Sequence, residues 1–138
     1  MILMAVVDDR MGLCFHGRRQ SQDRLLRAKL LALSTGSKLW MNSYSAKQFA
    51  QDAETGRITV AEDCLSRAGT GEFCFVETSA VAEAASHVER IYLFRWNRTY
   101  PGDCFFDLPL DTGWQVTEVE EFPGSSHEKI TMEVYERA

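Results

Sequence analysis

His16, Arg18 and Arg19 crowd into one loop-like stretch, residues 10–20, and a second polar run, Ser125-Ser126-His127-Glu128, lies near the other end of the chain. Arg98 stands between them in Trp96-Asn97-Arg98, two residues before Tyr100. Together the residues singled out in these segments offer two imidazoles, from His16 and His127, three guanidiniums, from Arg18, Arg19 and Arg98, and several hydroxyls. Arginine binds phosphate or carboxylate through paired N–H donors, and histidine exchanges protons near neutral pH, so the set suits a small anionic or nucleotide-like ligand with His16 or His127 as acid or base. The plainer alternative is that loop residues are polar because they are exposed. Asp23, in the run QSQD, is either a further member of a site or a partner for the positive end of the helix that starts there.

Other chemistries are disfavoured. His16, His87 and His127 stand alone, without H-E-x-x-H or H-x-H spacing, and Cys14, Cys64, Cys74 and Cys104 form no C-x-x-C pair, so no metal is expected and the thiols read as reduced core residues. The absence of H-x-H-x-D-H also argues against a metallo-β-lactamase-type nuclease. With 15 basic and 20 acidic residues the net charge is −5, which argues against a DNA-binding surface. No apolar stretch approaches the ~20 residues of a membrane span. MILMAVVDD reaches paired aspartates before a signal-peptide core could form, so a cytoplasmic protein is expected.

The elements that must position these residues follow from the hydrophobic pattern. At 138 residues and 45% hydrophobic content the chain can bury one core, so residues 1–138 read as a single domain. MILMAVV, KLWM, FCFV and IYLFRW are continuous apolar runs, as strands buried on both faces of a largely parallel sheet are, with MILMAVV central. Ser21 would cap a helix running to Leu33, whose Leu26, Leu30 and Leu33 share one face. Ser43 or Ser45 would cap a short second helix, Ile58–Val60 gives a brief strand, Glu62–Ala68 a helical turn, and Ser79–His87 an alanine-rich helix. Trp114–Phe122 and Ile130–Glu136 alternate as antiparallel strands with one solvated face do. Interleaved strands and helices, followed by strands alone, predict an α/β sheet closed by an antiparallel hairpin.

This order resembles dihydrofolate reductase. IYLFRWNRTYPGDCFFDLPLDTGWQV and ITMEVYER are similar to that family's closing strands, with Gly102-Asp103, Phe105-Phe106, Trp114 and Tyr135-Glu136-Arg137 in its turn, aromatic, tryptophan and terminal positions. AVVDDRMGLCFHGRRQSQD looks like its first strand and mobile loop, and TGSKLWMNSYSAKQF like its T-x-G-K-x-V-I-M-G-R-x-T-Y-E-S segment. The matches follow one another in the family's order, and the stretch 50–72 is shorter than the family's. The resemblance implies a single three-layer domain with a mixed sheet and C-terminal antiparallel strands. It also implies NADPH as cofactor and a cleft in which the loops carrying His16, Arg18, Arg19, Arg98 and His127 converge.

Carried over residue by residue, the resemblance places Ala5 and Val6 at the strand end facing the nicotinamide and Ser45 at a helix start that touches phosphate or only caps. Thr78 and Ser79 fall at the pyrophosphate cradle. Asp23 takes the acidic position that holds the pterin when aligned from the N-terminal side, and Leu26 takes it when aligned backward from KLWM. Three departures weaken the carry-over. Glu77-Thr78-Ser79 replaces the glycine pair that lets helix amides approach a pyrophosphate, and a carboxylate there repels phosphate unless it turns to solvent. Ser43 replaces an arginine on the 2′-phosphate, and Phe94 a threonine beside the pterin. Two functions are therefore carried forward: an NADPH-dependent oxidoreductase with an altered cleft, or a non-reductase protein that binds, or processes, a small anion or nucleotide through the His/Arg loops.

Overall fold

The computed structural model describes residues 1–138 and is built on a seven-stranded mixed sheet. In chain order its elements are β1 (Ile2–Val7), β2 (Gly12–Phe15), β3 (Arg18–Arg19), α1 (Arg24–Leu33), β4 (Leu39–Met41), α2 (Ser43–Lys47), β5 (Ile58–Val60), α3 (Cys64–Arg67) and β6 (Phe73–Phe75). A 3-10 helix (Ala82–His87), β7 (Arg90–Arg95), β8 (Cys104–Phe105), β9 (Trp114–Phe122) and β10 (Ile130–Arg137) complete it. The sheet order is β5-β4-β6-β1-β7-β10-β9, with β10 antiparallel to both neighbours and the other pairs parallel. The four apolar runs are thus adjacent and MILMAVV is the middle strand.

Strand β1 is buried throughout because both its edges and both its faces are covered. Its side chains alternate: Leu3, Ala5 and Val7 join one core with Cys74, Ile91 and Leu93, while Ile2, Met4 and Val6 join the other with Phe75, Phe94 and Met132. Helix α1 covers the second face through Leu26 and Leu30, with Leu33 only partly buried. On the first face β2, α3 and the 3-10 helix contribute Leu13, Cys64 and Ala84 to the core, which makes three layers. No helix is long and apolar enough to cross a membrane.

Local details correct the sequence reading. Asp23, not Ser21, caps α1, and Asn42, not Ser43 or Ser45, caps α2 through its side-chain oxygen on the Ser45 amide. The alanine-rich stretch forms only the 3-10 helix, and Ser79 lies outside it, exposed. Residues 10–20, read as a loop, contain β2 and β3, which pair with each other, and β2 pairs also with β8, giving a separate three-stranded sheet.

Candidate functional site

The β2–β3 hairpin turns at His16-Gly17, both with positive φ (51° and 71°), as a tight turn that follows the strand twist requires. Glycine adopts this freely and histidine tolerates it. Phe15 and His16 stack with ring centroids 3.9 Å apart, and the His16 amide donates to the Asp103 carboxylate. Buried Asp8 fixes the hairpin's base by accepting from the amides of Gly12 (2.8 Å), Arg10 (2.9 Å) and Tyr100 (3.0 Å). Burial alone would raise the Asp8 carboxyl, but these amides and the Gln20 side chain hold it below its ordinary value. Against the hairpin lies an open groove of ≈ 640 Å³, lined by Phe15, His16, Arg18, Arg19, Gln20, Tyr100 and Pro101. Arg18 is exposed and has no hydrogen-bond or ion-pair partner for its guanidinium.

Arg19 is committed elsewhere. Its guanidinium lies over the Tyr44 ring at 4.3 Å and donates to Glu77, with Nε 3.0 Å from Oε2 and a terminal nitrogen 3.2 Å from Oε1. Gln48 donates to the same Oε1 at 2.9 Å. Glu77 is only 3% exposed, so it neither turns to solvent nor confronts an open cradle: it is a buried internal anion held by Arg19 and Gln48. A few residues on, the Val81 and Ala82 amides that open the 3-10 helix both donate to Asp107 Oδ1, at 2.7 and 3.0 Å. Thr78 is half-buried and Ser79 makes no capping bond.

Asp23 gathers a second cluster. Its Oδ1 accepts from the amides of Leu25 (2.9 Å), Leu26 (3.2 Å) and Ser125 (3.0 Å); its Oδ2 accepts from the Ser126 amide (2.8 Å) and faces His127 Nδ1 (3.0 Å). Burial would raise this carboxyl, but the Ser125 amide, the His127 ring and the Ser126 and Leu26 amides outweigh it and hold the pKa well below the carboxylate range. Gly124 permits the approach, because a Cβ there would collide with the carboxylate. His127 Nε2 faces the hydroxyls of Tyr100 (3.0 Å) and Ser21 (3.1 Å), and the ring stacks on Trp96 at 4.3 Å.

The site residues named from sequence therefore fall into distinct places. His16, Arg18 and Arg19 share the hairpin groove; Arg98 and His127 line a different one of ≈ 400 Å³ with Lys129. Tyr100 lies between, lining the first and bonding His127 of the second. Asp23, Leu26 and Val6 border a narrow space of only ≈ 10 Å³, room for about one water. Ala5 is fully buried on the opposite face of β1. Ser45 is also fully buried, and its hydroxyl has no partner. No three His, Cys, Asp or Glu side chains cluster as metal ligands.

The architecture is that of dihydrofolate reductase. A dihydrofolate reductase from Enterococcus faecalis, solved with NADP(H) and RAB-propyl, matches 99% of this chain and 95% of its own at TM-score 0.69 and 12% identity. No protein-family model and no curated protein matches the sequence. At that identity the likeness fixes the fold, not the reaction. The residues present do not fit NADPH in the resembled pose: Glu77 fills the glycine position, Asp107 takes the 3-10 helix amides, and Ser43 supplies no cation.

Proposed function

We propose that this chain uses the dihydrofolate reductase fold as a non-reductase binding protein for a small phosphate-bearing ligand, seated in the hairpin groove. The carrying observation is the contrast between engaged and free cations: Arg19 is neutralised by Glu77, while Arg18 faces a ≈ 640 Å³ groove without a counter-ion. The stacked Phe15–His16 pair beside it, with Phe15 39% exposed, offers a flat face for a base or other planar group. Arg18 would take the phosphate by paired N–H donation. Arg98 is unpaired as well, but the ≈ 400 Å³ groove it lines has only buried aromatic rings, Trp96 and His127, so the reading favours Arg18 and His16 among the loop cations.

A second reading, an oxidoreductase that takes NADPH in an altered pose, is favoured by one observation. The unpartnered Ser45 hydroxyl lies where the resemblance expects a phosphate contact. Calorimetric titration of the protein with NADPH, NADP, folates, ATP, ADP and pyrophosphate separates the two. The binding-protein reading expects heat from the nucleotides or pyrophosphate, lost in Arg18→Ala and kept in Ser45→Ala. Heat from NADPH lost in Ser45→Ala and kept in Arg18→Ala establishes the second reading instead.

A further inference from the structure

Ser21, His127 and Asp23 make a hydrogen-bonded relay that ligand binding in the hairpin groove does not use. Asp23 accepts from four backbone amides and is therefore an ionised acceptor, so the proton in its contact with His127 belongs to Nδ1. A neutral imidazole protonated at Nδ1 has its lone pair at Nε2, which lies 3.1 Å from the Ser21 hydroxyl. The Trp96 stack and the Asp23 contact fix the ring's plane and rotation. A serine hydroxyl, a base within hydrogen-bond reach, and a buried carboxylate orienting that base are the parts of an activated nucleophile.

Two further observations suit the same chemistry. The amides of Ser21, Gln22 and Asp23, in the extended segment between β3 and α1, donate to no group of the protein, which leaves backbone donors for a developing oxyanion beside the nucleophile. Ser21 also borders the ≈ 10 Å³ space beside Val6, Leu26 and Trp96, which has room for about a methyl group. We propose that Ser21, His127 and Asp23 form an acyl-transfer site that hydrolyses carboxylic esters with a short, acetyl-sized acyl group.

In the first half-reaction Ser21 Oγ bonds to the ester carbonyl carbon while its proton passes to His127 Nε2. The tetrahedral intermediate then breaks the bond to the alcohol oxygen, which leaves with that proton. In the second half-reaction water gives a proton to Nε2 and its oxygen attacks the acyl-serine; the carboxylic acid is released as the proton returns to Ser21. Ser21 and His127 are the catalytic residues, and Asp23 positions the imidazole. Tyr100 competes for Nε2 in the resting state, so its removal should leave Ser21 as the sole hydroxyl on the base.

The test is covalent labelling of the full chain with a fluorophosphonate, mapped by peptide mass spectrometry, together with p-nitrophenyl acetate turnover. The expected result is a single adduct on Ser21, absent in Ser21→Ala and at least about a hundredfold slower in His127→Gln, with ester turnover falling in parallel. Ser21→Ala removes one hydroxyl whose only partner is His127, so its circular dichroism and melting should match the unmodified protein. Tyr100→Phe should label faster. Asp23→Asn, assayed where it remains folded, should shift the pH profile of labelling to lower pH, as loss of a negative charge beside the imidazole requires. Failure to label Ser21, or turnover unchanged in Ser21→Ala, overturns the proposal whatever the hairpin groove binds.

Discussion

Replacing Asp23 by alanine should loosen the start of α1 and the 124–127 loop at once. The carboxylate caps α1, and loss of a side-chain cap costs about 1 kcal/mol. It is also the acceptor for the Ser125 and Ser126 amides and for His127 Nδ1. Orphaning a buried donor costs about 1–3 kcal/mol; the two amides are only partly buried, so the lower end applies to them, and the buried His127 ring can turn its Nδ1 proton to the Ser126 hydroxyl beside it. Water entering the vacated space offsets a share, giving a total of about 2–4 kcal/mol, a large part of a small domain's stability. The assay is equilibrium urea unfolding followed by tryptophan fluorescence, where Trp96 also reports on its stack with His127. The gap between the two proteins should depend on pH. Because the folded pKa of Asp23 lies below its ordinary 3.8, the unfolded chain binds more protons in the window between them, so this stabilisation is complete above 3.8 and fades on acidification. The gap should therefore narrow between neutral pH and about pH 2.5. A cost under about 1 kcal/mol, or a gap constant with pH, would refute the account of Asp23 as an ionised anchor.

Arg19→Ala should destabilise by about 3–5 kcal/mol in the same unfolding assay, because it strands the buried Glu77 charge, and adding Glu77→Gln should recover part of the loss. Arg18→Ala should leave stability within about 0.5 kcal/mol yet weaken nucleotide or pyrophosphate binding tenfold or more by calorimetry. NADPH should show no micromolar binding to the unmodified protein. Glu77→Gly alone should not create it, since Asp107 still holds the Val81 and Ala82 amides, whereas Glu77→Gly with Asp107→Ala frees both those amides and Arg19 and should improve affinity measurably.

Strands β1, β4, β6 and β7 are legible because each is a short apolar run bounded by polar or turn residues, and such runs have few destinations other than the middle of a parallel sheet. The small sheet is not legible: β3 and β8 contain two residues each, too few to show alternation. The 3-10 helix deceives by composition. Alanine favours an α-helix, but no side chain of the stretch caps it, and the acceptor that serves its first amides, Asp107, arrives from 25 residues downstream. Asp23 is visible in the sequence as an acidic residue at a helix start, where local pattern does not separate it from Leu26; in the structure both border the same small space, with Asp23 turned to the 124–127 loop and Leu26 to the core. What no local pattern shows is that His127 is its partner from 104 residues away. The run Gly124-Ser125-Ser126-His127, rich in donors and opened by a residue without a side chain, was the available signal.

The carboxylates of Glu77, Asp107 and Asp23 explain together why the cation-rich loops do not make one cleft. Each fills a place where donors converge: Glu77 takes Arg19 and Gln48, Asp107 the 3-10 helix amides, and Asp23 the amides of α1 and of the 124–127 loop. An external phosphate entering any of these places must first displace an anion already tethered to the chain, whose effective concentration no dissolved ligand matches. Field strength is thus no guide to a binding site in this molecule; the relevant quantity is charge left unpaired. By that criterion Arg18 and Arg98 both stand unpaired beside a groove, but only Arg18, on a hairpin held in place by Asp8, has an exposed aromatic face next to it in the Phe15–His16 stack, and the larger groove it lines is where ligand screening should begin.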